Sequence, residues 1–220
     1  HRRVLVTTTT NIYNPDKSLY DHFLLWNNEK IPDIKKQNLG QGSITVIGSI
    51  LTDEQKLKGI SKECVDEIYN SGIFDAILVE ADGAKRKPVK APDVHEPVVP
   101  EYTSILAGVI GMDCYGKAID PAWVHRPHIL AEITGRVVGD IIDDEVIARL
   151  ALSPDGLFKN CPEKAEKVMF INKVEGIDIF STVERIGNSV LTKSPDIKKI
   201  LIGSILSKEP VRSVMGRVTE

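Results

Sequence analysis

The chain has 220 residues, 42% of them hydrophobic and 27% charged, with a formal net charge of −3. Such a composition is that of an ordinary globular protein, and its mild acidity argues against a general nucleic-acid binder, which would carry a strong positive field. No apolar run approaches the ~18–20 residues that a membrane span needs, and no signal-peptide pattern is present. Cys64, Cys114 and Cys161 are too sparse, and odd in number, for a disulfide framework. A cytoplasmic protein with reduced thiols, and with neither membrane nor nucleic acid as partner, is expected.

In chain order, His1-Arg2-Arg3 runs at once into an apolar strand at residues 4–6. A parallel strand normally follows a strand and a crossover helix, so a leading βα unit is expected ahead of it. The strand exits into Thr7, Thr8, Thr9 and Thr10, hydroxyls that could serve a ligand or metal or simply extend the strand. Asn14-Pro15-Asp16 is a turn signal. Residues 18–28 carry apolar groups at helical spacing and predict a helix, 29–42 a loop, and 43–51 a second strand. Thr52 to Gln55 has the form of a capping box, which predicts two helical pieces before Gly72. Ile60, Cys64, Val65 and Ile68 share the apolar face there.

Residues 74–81 read as a buried central strand. Further strands are expected at 103–110, 168–171 and 197–205. Helices are expected at 129–136, 143–152 and 178–191, and 163–167 reads as a helix end or a loop. The tail beyond Lys208 is weakly patterned and broken by Pro210. Alternating helices and solid apolar strands predict a single α/β domain, a mostly parallel sheet with helices on both faces.

Polar motifs fall at the exits of these strands, where open α/β sheets bind ligands. Residues 77–100 hold the densest one. Glu80, Asp82 and Gly83 end a strand, the basic run Lys85, Arg86, Lys87 and Lys90 follows, and Pro88, Pro92, Pro97 and Pro100 stiffen the loop. Glu80 and Asp82 can hold Mg²⁺ or its water, and Gly83 can bring its N–H to a γ-phosphate. The sequence FDAILVEADG resembles the corresponding strand of the GTPases that deliver nickel to hydrogenase and urease. Thr7 to Thr10 and Glu80 to Gly83 then read as switch elements.

Asn172-Lys173-Val174-Glu175 has the form of the [NT]KxD guanine-recognition element, with Glu in place of Asp. A carboxylate accepts two hydrogen bonds from guanine, asparagine can serve a base acceptor, and a lysine stem can lie over the ring. Gly203 and Ser204 fall where such proteins place a backbone amide near the base. A helix-capping asparagine beside a surface Lys–Glu pair is the plain alternative. No GxxxxGK[ST] phosphate loop occurs in the 220 residues.

Taken together, VLVTTTT (4–10), VEADGAK (79–85), KAPDVHEPVVP (90–100), VIGMD (109–113), His125-Arg126-Pro127 and FINK (170–173) resemble the YqeC family, accessory proteins of selenium-dependent molybdenum hydroxylases. Members usually begin with a GxGGKT-type phosphate loop, and this sequence starts just downstream of it. The resemblance implies a P-loop NTPase-like fold, GTP or ATP with Mg²⁺, a molybdenum cofactor or selenium species, and a client hydroxylase. His95, Glu96, Asp113, His125 and Arg126 lie in the family-specific loops at 84–136, as a substrate or partner region. With Lys85, Arg86 and Lys90 they could hold an oxyanion or a metal, or form structural salt bridges. Two other functions fit the same motifs: a cofactor-binding chaperone without hydrolysis, and a small-molecule kinase with Asp82 or His95 as base.

Overall fold

A computed structural model describes residues 2–26, 39–176 and 178–216. The chain is α/β and divides into two compact units, His1–Gly83 with Pro97–Tyr102, and Ala84–Glu96 with Thr103–Glu220.

In the first unit the apolar start of the chain forms β1 (Val4–Thr8). It is followed by β2 (Asn11–Tyr13), β3 (His22–Leu25), β4 (Ile44–Gly48), β5 (Ile50–Leu51) and β6 (Lys56–Lys58), then α1 (Lys62–Asn70) and β7 (Ala76–Glu80). The main sheet runs β3-β4-β1-β7, every pair parallel, with Val4 opposite both Ile44 and Ala76. Leu5, Ile47, Ile60, Val65 and Ile68 pack as its core. The face predicted for Ile60, Cys64, Val65 and Ile68 is thus buried. Ser61 caps α1 by accepting from the Cys64 amide at 3.2 Å, and Gly72 follows the helix with φ +64°.

Two expectations fail here. The apolar spacing at 18–28 does not make a helix over residues 18–26. A 3₁₀ turn at Lys17–Leu19, capped by Asp16, leads into β3, which pairs in parallel with β4. Backbone pairing to β4 outweighs a short helical pattern. Residues 27 and 28, and the predicted loop over 29–38, lie outside the described residues. The second failure is the supposed capping box, which is a hairpin turn between β5 and β6. Thr52 Oγ1 accepts from the Lys56 amide at 3.2 Å, Gln55 takes φ +57°, and β6 closes an antiparallel sheet with β2 and β5.

The second unit comprises β8 (Val89–Lys90), β9 (Ile105–Gly111), β10 (Val124–His125), α2 (Pro127–Thr134), α3 (Asp144–Leu152), β11 (Glu166–Asn172), α4 (Phe180–Lys193), β12 (Ile197–Gly203) and β13 (Val211–Gly216). Its sheet runs β13-β12-β11-β9, parallel except for β13. Met169, Ile171, Ile200 and Ile202 point into one core with Ile147, Leu150, Val183 and Ile186 of the helices, and Cys114 is wholly enclosed there. Asp143 caps α3 through the Val146 amide. Within the tail read as weakly patterned, Val211–Gly216 form the antiparallel strand β13. Pro210 sits in the turn before it and so costs the ladder no hydrogen bond.

Candidate functional site

In the first unit the exits of β1 and β7 lie together. Thr7 Oγ1 donates to the Ile47 carbonyl at 2.8 Å, Thr8 Oγ1 to the Glu80 carbonyl at 2.8 Å and Thr9 Oγ1 to the Val98 carbonyl at 2.7 Å. Thr8 Oγ1 also accepts from the Thr10 amide at 3.0 Å. Thr7 and Thr8 are 1% and 0% exposed, so these hydroxyls stitch the strand ends together. The Val98 amide donates to the Ala81 carbonyl, which fixes the segment Pro97–Tyr102 beside the exit.

Glu80 stands at the open end of β7. Desolvation raises its carboxyl above the usual carboxylate range, and the like charge of Asp82 adds to the rise. Gly83 faces Thr10, and a Cβ there would meet Thr10 Oγ1 at an ordinary 3.6 Å. Gly59, which the sequence reading passed over, matters more sterically. Its Cα packs on the backbone of residues 8–10, and its neighbour's amide, Ile60 N–H, donates to the Thr8 carbonyl.

In the second unit the parallel strands β9, β11 and β12 bring Asp113, Asn172–Glu175 and Gly203-Ser204 to one edge. Asn172 Oδ1 accepts from the Lys173 amide at 2.8 Å and from the Ile205 amide at 3.0 Å. That pattern assigns its oxygen inward and leaves its amide nitrogen as an outward donor. Ser204, 3% exposed, donates from Oγ to Glu175 Oε1 at 3.2 Å, while the Glu175 carboxylate remains at the surface. The Val174 amide donates to the Gly203 carbonyl, and Arg212 of β13 donates to the Glu175 carbonyl. Lys173 adopts φ +61°, and its Nζ lies 2.6 Å from Asp113 Oδ2. Gly203 admits no side chain, because a Cβ would overlap the Pro210 carbonyl oxygen. One carboxylate, one outward amide donor and a lysine stem are thus gathered on strand ends that a packed core holds still.

A second cluster forms around β8, β10 and the start of α2. Lys90 Nζ lies 2.7 Å from Glu96 Oε2, and Arg126 donates from both terminal nitrogens to the same carboxylate. Arg126 also faces Asp93 at 3.3 Å and takes φ +68° at the helix start. Burial pushes the Glu96 carboxyl up. The hydrogen bonds from Arg126, Lys90 and the Asp93 segment, with the Lys90 charge, outweigh that and hold it at about 2. His125 sits opposite Lys90 in the β8–β10 pair. Desolvation, then Arg126, Lys90 and Lys85, push its imidazole below the ordinary histidine value and toward the neutral form.

Lys85 and Arg86 are exposed, with φ +49° and +61°. His95 is exposed and shares none of these bonds. Among the described residues no group of three or more His, Cys, Asp or Glu side chains is arranged around a metal position. No helix of the described residues is long and apolar enough to cross a membrane.

Comparison with known proteins places these features in context. Residues 1–128 match the family described as YqeC protein. Over 172 residues the chain is 31% identical to the Escherichia coli (strain K12) protein named Uncharacterized protein YqeC, an alignment covering 78% of this chain and 66% of that relative. The chain thus spans just under two-thirds of the relative's length. No solved structure matches it.

Proposed function

Since this chain belongs to the YqeC family, we propose that it is a guanine-nucleotide-binding accessory protein of P-loop NTPase type. It takes GTP with Mg²⁺ and serves the maturation of a selenium-dependent molybdenum hydroxylase. One observation carries the nucleotide part. Asn172 and Glu175 at the exit of β11 are tied to the exit of β12, through the Ile205 amide and the Ser204 hydroxyl, by hydrogen bonds that leave a carboxylate and an amide donor facing outward. Guanine offers two donors to a carboxylate where adenine offers neither in that arrangement, so the set discriminates.

On the first unit, Glu80 and Asp82 are the residues that would hold Mg²⁺. Two carboxylates suit an ion that keeps most of its waters and shares phosphate oxygens. Bound Mg²⁺ would screen phosphate charge, and the chain's own contribution is to present Glu80 at the end of β7 with Asp82 two residues beyond it. The hydroxylase client and its molybdenum or selenium cofactor rest on the family resemblance.

The test is equilibrium titration of the full protein with GTP and ATP in the presence of Mg²⁺. A GTP preference that Glu175→Ala abolishes is the expected result, and absence of nucleotide binding at millimolar concentration would overturn the reading. A second reading, a chaperone module that binds without hydrolysis, is favoured by the inward use of the Thr7, Thr8 and Thr9 hydroxyls. Phosphate release from bound GTP separates the two. Phosphate transferred to an added metabolite would favour a kinase.

A further inference from the structure

Lys173 is held in a conformation that its own chemistry does not favour. A lysine at φ +61° is in the left-handed region, uncommon for a residue with a Cβ. Its Nζ meets Asp113 Oδ2 at 2.6 Å, yet the two side chains are 45% and 39% exposed. An ion pair so open to water adds little to stability. Something other than stability accounts for the geometry.

Gly111 shows what the pair achieves. Its backbone φ is −88°, which any residue adopts, so the glycine is there for space. A Cβ on Gly111 would stand 2.7 Å from Asp113 Oδ1, 3.1 Å from Pro88 Cβ and 3.4 Å from Lys173 Cδ. The lysine stem therefore lies across the bare Cα, drawn over it by Asp113, with Pro88 alongside. The neighbouring residues fix the orientation. Asn172 Oδ1 holds the Lys173 amide, and wholly buried Val174 is bonded to the Gly203 carbonyl.

We propose that Asp113 is a specificity-determining positioning residue: by pairing with Lys173 it lays the lysine stem flat over Gly111, as the floor on which a guanine ring rests. The proposal rests on the guanine-nucleotide reading above. A methylene stem is an apolar surface when its charged tip is satisfied elsewhere. Lysine has several rotatable bonds, and one already ordered before the ligand arrives loses less freedom on binding. Stacking on such a floor suits any purine. The directional bonds to Glu175 and Asn172 need the ring at the right height and tilt. Loosening the floor therefore harms GTP more than ATP.

The experiment is titration of the full protein, and of its Asp113→Asn, Lys173→Met and Gly111→Ala variants, with GTP and ATP plus Mg²⁺. A urea midpoint is measured for each variant. Asp113→Asn is expected to weaken GTP about tenfold and ATP less, with an unchanged midpoint. Adding Asp113→Asn to Lys173→Met should cost nothing more, and Gly111→Ala should mimic the loss by lifting the stem. A wild type that prefers GTP, with Asp113→Asn keeping both affinity and preference, overturns this proposal alone. Equal losses for both nucleotides with a lowered midpoint also overturn it, as a structural role. A wild type with no GTP preference overturns the nucleotide reading and this proposal with it.

Discussion

At the exit of β1 the hydroxyls of Thr7, Thr8 and Thr9 all turn back onto backbone carbonyls, whereas at the exit of β11 Asn172 and Glu175 commit only part of their bonding capacity. Both motifs sit where a parallel sheet offers ligands a place. In the first unit the polar atoms complete the fold. In the second the same kinds of atom are oriented by the fold and left facing water. A strand-exit motif is therefore evidence of a site only when its outward valences survive folding. The Lys90–Glu96–Arg126 cluster shows that the second unit, too, can turn charge onto itself.

The largest expected effect tests that self-neutralised cluster. Glu96→Gln removes the carboxylate charge that Lys90, whose side chain is 6% exposed, and Arg126 share, and should cost about 3 kcal/mol by urea denaturation at pH 7. The sign with pH follows from a folded carboxyl at about 2 against an ordinary 4.5. The wild type's advantage is fully present above pH 4.5 and disappears as pH falls toward 2. An advantage that persists unchanged at the acid end would remove Glu96 from the cluster's energetics.

Thr8→Val comes next, since it deprives the Thr10 amide and the Glu80 carbonyl of a buried hydroxyl. A loss of about 2 kcal/mol is expected, with the GTP-to-ATP preference intact. A changed preference would break the contrast between the units. Asn172→Asp reverses the pattern. It keeps the oxygen that holds Lys173 and Ile205, so stability should move by less than ~0.5 kcal/mol, while loss of the amide donor weakens nucleotide binding.

The smallest effect is that of Glu80→Gln. Because the Glu80 carboxyl is raised, its ionised form disfavours the fold. The variant should melt slightly higher at pH 7, the gain vanishing once the pH drops below the ordinary carboxylate value of 4.5. Millimolar Mg²⁺ should raise the melting temperature of the wild type and not of the variant. A shift common to both would place the cation elsewhere.

Solid apolar runs made β7, β9, β11 and β12 legible, and the acidic start of α3 was legible too, but burial on both sides accounts only for the runs of the inner strands β11 and β12. β7, expected as a buried central strand, is an edge strand with Leu78 58% exposed, and β9 is an edge strand with Ile105 and Val109 exposed. The gathering of Asp113, Asn172, Glu175 and Ser204 was legible because each follows a strand read as part of a parallel sheet, whereas residues 7–10 and 80–83, read at exits of the same sheet, end strands of a different one. What was not legible depends on partners distant in sequence. The segment His22–Leu25 carries helical spacing and becomes a strand because β4 is there to pair with it. Thr52 Oγ1 accepts from the amide four residues on in a hairpin, where a helix start would place the donor two or three residues on, and the sequence does not show which of the two forms. Arg212 reaches the Glu175 carbonyl from a strand whose residues alternate too weakly to be read. The inward turn of Thr7, Thr8 and Thr9 leaves no trace in a run of four identical residues.

Cys64 sits in the core of the first unit, 8% exposed, and Cys114 in that of the second, fully enclosed, its thiol pushed by burial and then by Asp113 up to about 12. Both thiols are covered by their cores in the native state, so an alkylating reagent can mark them only when the surrounding structure opens. Each unit thus carries a clock of its own. Labelling kinetics resolved by peptide mass would time the opening of both halves in one tube, and adding GTP–Mg²⁺ would show which of the two slows.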